Sequence, residues 1–297
     1  MKKGCFDLKQ RKTKVIIIIV ASVIAAALLI VLGILLFGKI TSNDTSNSTS
    51  NSDLSKVKVG DTVHWGKYEQ DNDESNGPES IEWQVINVKN DKALIVSKSV
   101  LDCKMYNEDD SKINWSDSSL RKWLNSDFYE SAFSDNEKSS ISLTDVVNKG
   151  TYEGYDKSGN WLMSNTKSNL ETVVAESSDQ ENTQDHLFLL SIDEVNQFFT
   201  SKDNRKAFLS DYGTEAFIKL GIEQAKKQSN VNEETIRTYY ENSAKQYGRG
   251  FCNWWLRSPG LTQGCATAVD YEGTPGQSMT VTTNDGGVRP AMWLVIQ

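Results

Sequence analysis

Between positions 15 and 37 the chain runs for 23 residues without a charge, VIIIIVASVIAAALLIVLGILLF. A helix of that length rises about 34 Å, enough to cross a hydrocarbon core about 30 Å thick. The run therefore predicts a transmembrane helix. Six basic residues precede it and only Lys39 follows closely, so the positive-inside rule places the amino terminus in the cytoplasm and everything beyond Ile40 outside. A cleavable signal peptide is the alternative, but the run exceeds the about 7 to 15 residues of such a segment and no small-residue cleavage site follows it. An uncleaved anchor fits better, and the expected location is the cell membrane with the carboxy-terminal domain extracellular.

The anchor divides the chain. Residues 1–14 are a basic cytoplasmic tail, and residues 38–56 are a linker rich in Ser, Asn and Thr, which buries too little apolar surface to order itself. About sixteen residues of such coil span roughly 20 Å, so the body, residues 57–297, stays near the membrane. Charge is split in the same way: residues 1–40 hold seven Lys/Arg and one acid, the rest 25 basic and 39 acidic residues. So acidic a body repels phosphate backbones, which excludes nucleic acid as a partner.

In the body, 59–68 reads as a turn and then a strand, and Ile81, Trp83 and Val85 alternate with polar neighbours before Ala93–Val96, with a turn at Asn90-Asp91: an antiparallel hairpin. Ser116 or Asp117 is placed to cap a helix carrying Leu120, Trp123 and Leu124 on one face. Residues 134–185 are polar and predict loops. Residues 186–190 predict a buried strand, and Ser191-x-x-Glu194 a capping box that starts a helix. Two amphipathic patterns between 214 and 247, split at 228–232, predict a helical hairpin, an insertion spanning 210–247. Ala266–Val269 and 279–282 alternate as strands, and Asn284-Asp285-Gly286-Gly287 predicts a tight hairpin turn into a last strand. Strands at both ends with helices between them predict an α+β domain with a mixed or antiparallel sheet.

Two runs frame the final third: Trp254-Trp255-Leu256-Arg257-Ser258-Pro259-Gly260, and Gly287-Val288-Arg289-Pro290-Ala291-Met292-Trp293-Leu294. With Gly60-Asp61, Trp65-Gly66, the Ser119–Asn125 helix and Phe188–Ser191, they resemble a bacterial, Gram-positive family of membrane-anchored domains of unknown function. More distantly, the end of the chain is similar to C-type lectin-like and formylglycine-generating-enzyme-like domains. That resemblance implies a compact α+β fold whose loops between Pro259 and Asp285 form a binding face.

Candidate ligand-binding residues are Trp254, Trp255, Arg257, Asn284, Asp285 and Arg289. The arginines sit within apolar strands, where a guanidinium either anchors a sugar or anionic ligand or pins loops through buried acids and carbonyls; the pairing role is the more ordinary. The tryptophans either stack on sugar rings or fill the core, and alternation allows at most one to face outward. Asn284-Asp285 reads as a turn before it reads as a calcium site. Cys252 and Cys265 flank the Trp-Trp-Leu-Arg segment and form a disulfide candidate outside the cell. The acidic runs at 71–74 and 108–110 read as solvated loops, and the first lacks the EF-hand register. With two histidines in no metal-binding pair, and no serine elbow, phosphate loop or dinucleotide fingerprint, no metal, cofactor or catalytic residue is assigned. The expected function is extracellular binding of wall or surface glycan or of a protein partner. The alternatives are an extracellular enzyme of formylglycine-generating or wall-hydrolase type, and a structural or sensor ectodomain.

Overall fold

The computed structural model describes residues 54–111, 113–148, 181–228, 232–246, 252–260 and 264–296, with the backbone of three short strands at 48–49, 154–155 and 171–172. The uncharged run at 15–37 lies outside the described residues, as does most of 149–180; among the described residues no helix is long and apolar enough to cross a membrane. In chain order the strands are β1 (Ser48–Thr49), β2 (Thr62–Tyr68), β3 (Glu79–Lys89), β4 (Lys92–Ser97), β5 (Asp102–Cys103), β6 (Thr144–Val146), β7 (Gly154–Tyr155), β8 (Glu171–Thr172), β9 (Thr183–Asp185), β10 (Trp254–Pro259), β11 (Cys265–Val269), β12 (Pro275–Thr280), β13 (Gly287–Val288) and β14 (Ala291–Val295). Two five-stranded sheets result, β1-β2-β3-β4-β14 and β12-β11-β10-β13-β5, with small pairs β6-β9 and β7-β8. The fold is α+β with mixed sheets.

The hairpin β3–β4 forms where alternation predicts it, turning at Asn90 with φ of 56°, a left-handed conformation that asparagine tolerates. Ile81, Trp83 and Val85 are buried beside exposed Glu82. Next to it β2 carries a bulge between His64 and Lys67. Gly66 sits there with φ of 71°, and a Cβ would lie 2.5 Å from a Phe133 ring carbon, so only glycine lets strand and helix approach this closely.

Helix α1 runs as Ser119–Trp123, a π turn at Leu124–Phe128, and Tyr129–Ala132. Its cap is Ser118, whose Oγ accepts from the Arg121 amide at 3.2 Å. The expected caps, Ser116 and Asp117, lie instead in a 3-10 turn at Trp115–Asp117, anchored by the buried Trp115 indole donating to Asp185. Leu120, Leu124 and Phe128 of α1 join residues of both sheets in one apolar core. After α1 come α2 (Asp135–Lys138), α3 (Ile192–Phe198), α4 (Lys202–Arg205), α5 (Asp211–Gln228) and α6 (Glu233–Gln246). The last two form the expected helical hairpin. Arg237 pairs with Glu215 at 3.0 Å, and Gly221 leaves room for the Tyr240 ring.

Four expectations are corrected. Residues 187–190 are buried, but they make only a single bridge, Phe188 to Ala291, and the regular strand comes earlier, at β9. Asn125 of α1 explains this: its Oδ1 accepts from the amides of His186 and Leu187 and its Nδ2 donates to the Leu187 carbonyl, so a side chain replaces the ladder. The run from Gly287 to Leu294 is two strands in different sheets. Pro290 lacks an N–H and cannot extend a ladder, so Arg289-Pro290 carries the chain from β13 to β14. The segment at Asn284–Gly287 is no hairpin turn, because β12 and β13 are not neighbours. Likewise the expected loop face between Pro259 and Asp285 is largely the hairpin β11–β12.

Burial sets the alkaline limit of this fold. It raises the phenols of Tyr68 and Tyr106 far above their ordinary 10.0, Tyr68 with the Asp102 carboxylate beside its hydroxyl. Cys252 is pushed up from 9.0 to about 12, and Cys103 moves the same way, both chiefly by burial. The unfolded chain releases these protons near their ordinary values while the fold retains them, so stability is complete below about pH 9 and declines above it. Burial moves Arg289 the opposite way, from 12.5 to about 10, which adds stability only between those values. Four groups outweigh one, and thermal melts are expected to show a melting temperature falling steadily from about pH 9 to about pH 11.

Candidate functional site

Arg257 lies on β10 among apolar residues and is only 5% exposed. Its Nη1 donates to the Leu189 carbonyl at 2.8 Å and to Glu194; its Nη2 donates to Glu194 Oε1 at 3.0 Å and to the Val147 carbonyl at 3.3 Å. The guanidinium thus grips a carboxylate with two prongs and pins two irregular segments. Glu194 is positioned by the capping box of α3: Ser191 Oγ accepts from the Glu194 amide at 3.2 Å, and Glu194 Oε2 accepts from the Ser191 amide at 2.8 Å. Ser258 accepts from the Ile192 amide at 3.0 Å, tying β10 to the same helix start.

Above this ion pair opens a cavity of about 200 Å³, lined by Val147, Asn148, Asp193, Glu194, Gln197 and Arg257 together with Ser191 and Ser258. Asn148 is held by its own amide, which donates to Asn182, and by Nδ2, which donates to the Glu181 carbonyl. Among the described residues its Oδ1 has no hydrogen-bond partner, and neither has the Arg257 Nε. Buried polar atoms are seldom left so, and both residues line this cavity. Two carboxylates against one arginine give the cleft a net negative charge, which disfavours anions and suits hydroxyl or amine donors.

The other candidates lie elsewhere. Trp254 and Trp255 are fully buried, so neither serves as a stacking platform; their indoles donate to the Arg205 and Lys104 carbonyls. Both faces of β10 are covered, and alternation therefore exposes neither. Arg289 is also buried, between the Phe199 and Trp254 rings at 5.4 and 4.9 Å, with Nε donating to the Ser97 carbonyl. It pins the crossover from β13 to β14 and is out of reach of a ligand. Asp285 accepts from Asn253 at 3.2 Å and from Thr283, and the Asn284 carbonyl faces the Cys103 thiol at 3.1 Å. These contacts order a loop remote from the Arg257 cleft in the hydrogen-bond network.

No disulfide joins Cys252 and Cys265. Trp254 pairs with Val269 and Pro259 with Ala266, so the antiparallel hairpin β10–β11 places Cys265 at its tip and Cys252 beyond its base. At about 3.3 Å per residue the two ends stand roughly 20 Å apart, far beyond the about 6 Å between α-carbons that a bridge allows. In the acidic loop after β2, Glu69, Asp71 and Glu79 approach within 4.8 Å. Their oxygens accept from loop amides, Gln70 to Glu79 at 2.7 Å and Asp73 to Glu69 at 3.0 Å, and so close the loop.

A family described as "Domain of unknown function (DUF6273)" matches residues 90–296. The chain belongs to this family. No curated protein and no solved structure matches it. The DUF6273 match takes in the whole Arg257 cleft and begins at the turn of β3–β4, so β1, β2 and β3 precede it. Within the DUF6273 region, sequence reasoning placed Arg257 and the Ser191–Glu194 box but missed Asn148 and Gln197. The capping box was the usable signal for Glu194; Asn148 sits in a polar stretch that has no periodicity to mark it.

Proposed function

We propose that this chain is a single-pass membrane protein, amino terminus inside, that displays its DUF6273 domain outside the cell as a binding module. Its ligand is a neutral, hydroxyl-rich molecule, such as a sugar unit of the wall or of a neighbouring surface, held in the Arg257–Glu194 cleft. The observation that carries the ligand reading is the composition of that cleft. Asn148, Asp193 and Gln197 line it, and its one cation among the described residues is already committed to Glu194. Sugar hydroxyls supply donors without charge, and a cavity of about 200 Å³ suits a single ring better than a large ligand. Support for the anchor comes from the 23 uncharged residues and the basic tail before them.

Distant kinship with C-type lectin-like domains belongs to the same reading; what supports it is the α+β organisation with Arg257 on a central strand. A wall hydrolase needs carboxylates free to pass protons. Glu194 spends one oxygen on Arg257 and the other on Arg257 and the Ser191 amide, which favours binding over catalysis.

Full-length protein in detergent is expected to bind isolated cell walls saturably. The double variant Asn148→Ala, Gln197→Ala should weaken that binding at least about tenfold, the loss of one to two hydrogen bonds. Binding unchanged in the variant rules out this cleft. No binding to walls at all moves the search to a protein partner, as for a sensor ectodomain.

A further inference from the structure

We infer that Asn76 is a site of spontaneous modification, where the side-chain amide leaves as ammonia through a five-membered imide closed by the Gly77 nitrogen. The products are aspartate and isoaspartate in the loop between β2 and β3. Asn76-Gly77 is the one Asn-Gly pair in the chain. Ring closure needs a backbone nitrogen that is free to turn onto the preceding side chain, and glycine has no Cβ to obstruct that approach. The loop meets this need. Asn76 is exposed, in a turn just before β3. Gly77 has a φ of 82°, and a Cβ built on it would meet nothing within 4 Å, so the chain is unobstructed there. Among the described residues the Gly77 amide has no acceptor, and no hydrogen bond from it has to break first.

The reaction balances with water as the only co-reactant. Solvent base takes the Gly77 amide proton, and the nitrogen forms a bond to Asn76 Cγ. The Cγ–Nδ2 bond then breaks, and the leaving nitrogen takes a proton from water and departs as ammonia. Water opens the imide at either carbonyl. Attack at Cγ restores the ordinary backbone with aspartate; attack at the backbone carbonyl leaves Gly77 joined through Cγ, an isoaspartate that lengthens the main chain by a methylene. No electrons are transferred. The change matters locally, because Asn76 Nδ2 donates to Asp71 Oδ2 at 2.8 Å. Conversion puts a carboxylate where that donor stood, in a loop that already gathers Glu69, Asp71 and Glu79 within 4.8 Å of one another, and like charges repel. The turn that Asp71 closes by accepting from the Asp73 amide at 2.9 Å is thereby loosened. None of these residues lines the Arg257 cleft.

The fold itself supplies a control. Asn125-Ser126 lies within α1, where the Asn125 amide donates to the Arg121 and Leu187 carbonyls and its Oδ1 accepts from the His186 and Leu187 amides. The test incubates full-length protein in detergent, in water enriched in heavy oxygen at mildly alkaline pH, and follows each asparagine by peptide mapping and mass spectrometry. Because Asn125 reacts only from a locally opened helix, Asn76 is expected to convert at least about tenfold faster. Asn76 should yield both aspartate and isoaspartate, each carrying heavy oxygen from the ring-opening water. Gly77→Ala adds the Cβ that hinders closure and should slow conversion by about tenfold, with circular dichroism confirming that the variant folds. Asn76→Gln, which would have to close a larger ring, serves as the second variant and should form no isoaspartate at that position. Absence of isoaspartate at Asn76, equal rates at Asn76 and Asn125, or conversion in folded Gly77→Ala as fast as in the parent each overturns the inference.

Discussion

Glu194→Gln is expected to destabilise the domain by about 3 kcal/mol, the scale measured when one partner of a buried ion pair is removed. Arg257 is 5% exposed and takes both prongs of its carboxylate contact from Glu194. Glutamine preserves size and can still accept from the Ser191 amide, so the capping box survives in outline. What is lost is the compensation of a buried positive charge. For a folded region of this size the shift corresponds to roughly 6 to 12 °C in melting temperature, read by calorimetry or circular dichroism. Because the cost lies in the unpaired guanidinium, the double variant Glu194→Gln, Arg257→Met should recover part of the loss. A single variant as stable as the parent would mean that the pair contributes nothing.

Trp255→Ala is expected to cost about 4 kcal/mol, within the span for truncating a large aromatic side chain in a core. The Trp255 indole donates to the Lys104 carbonyl at 2.8 Å, packs edge-on against Tyr106 at 5.4 Å, and leaves so little space over Gly286 that a Cβ there would lie 2.0 Å from its Nε1. The substitution opens a cavity and frees a carbonyl in the region where β5, β10 and β13 meet. Denaturant unfolding should show a lower midpoint. Had Trp255 been a sugar platform, the same change would reduce ligand affinity while leaving the midpoint in place.

Several features are legible in the chain because they rest on neighbours in sequence. The β3–β4 hairpin follows from alternation and a turn residue that accepts positive φ. The α3 start follows from a serine and a glutamate three residues apart, and the α5–α6 hairpin from two amphipathic periods with a polar break. Even so, small displacements of local signals were not legible. Ser118 rather than Ser116 caps α1 because Trp115 is drawn into the core by Asp185, a residue seventy positions away.

By itself the sequence determined the uncharged run, the polar linker, the acidic body and the α+β order of elements, all consequences of composition and short-range periodicity. Only the tertiary structure decided which side chains meet. Two similar Arg-bearing runs proved to have different roles: Arg257 borders a cleft through Glu194 of α3, while Arg289 is enclosed by Phe199 and Trp254 where the chain passes between sheets. The same holds for the cysteines, whose spacing suggests a bridge that an intervening antiparallel hairpin keeps apart. Burial and pairing depend on contacts between residues far apart in the chain, and periodicity reports only which face of an element is apolar, not what that face will meet.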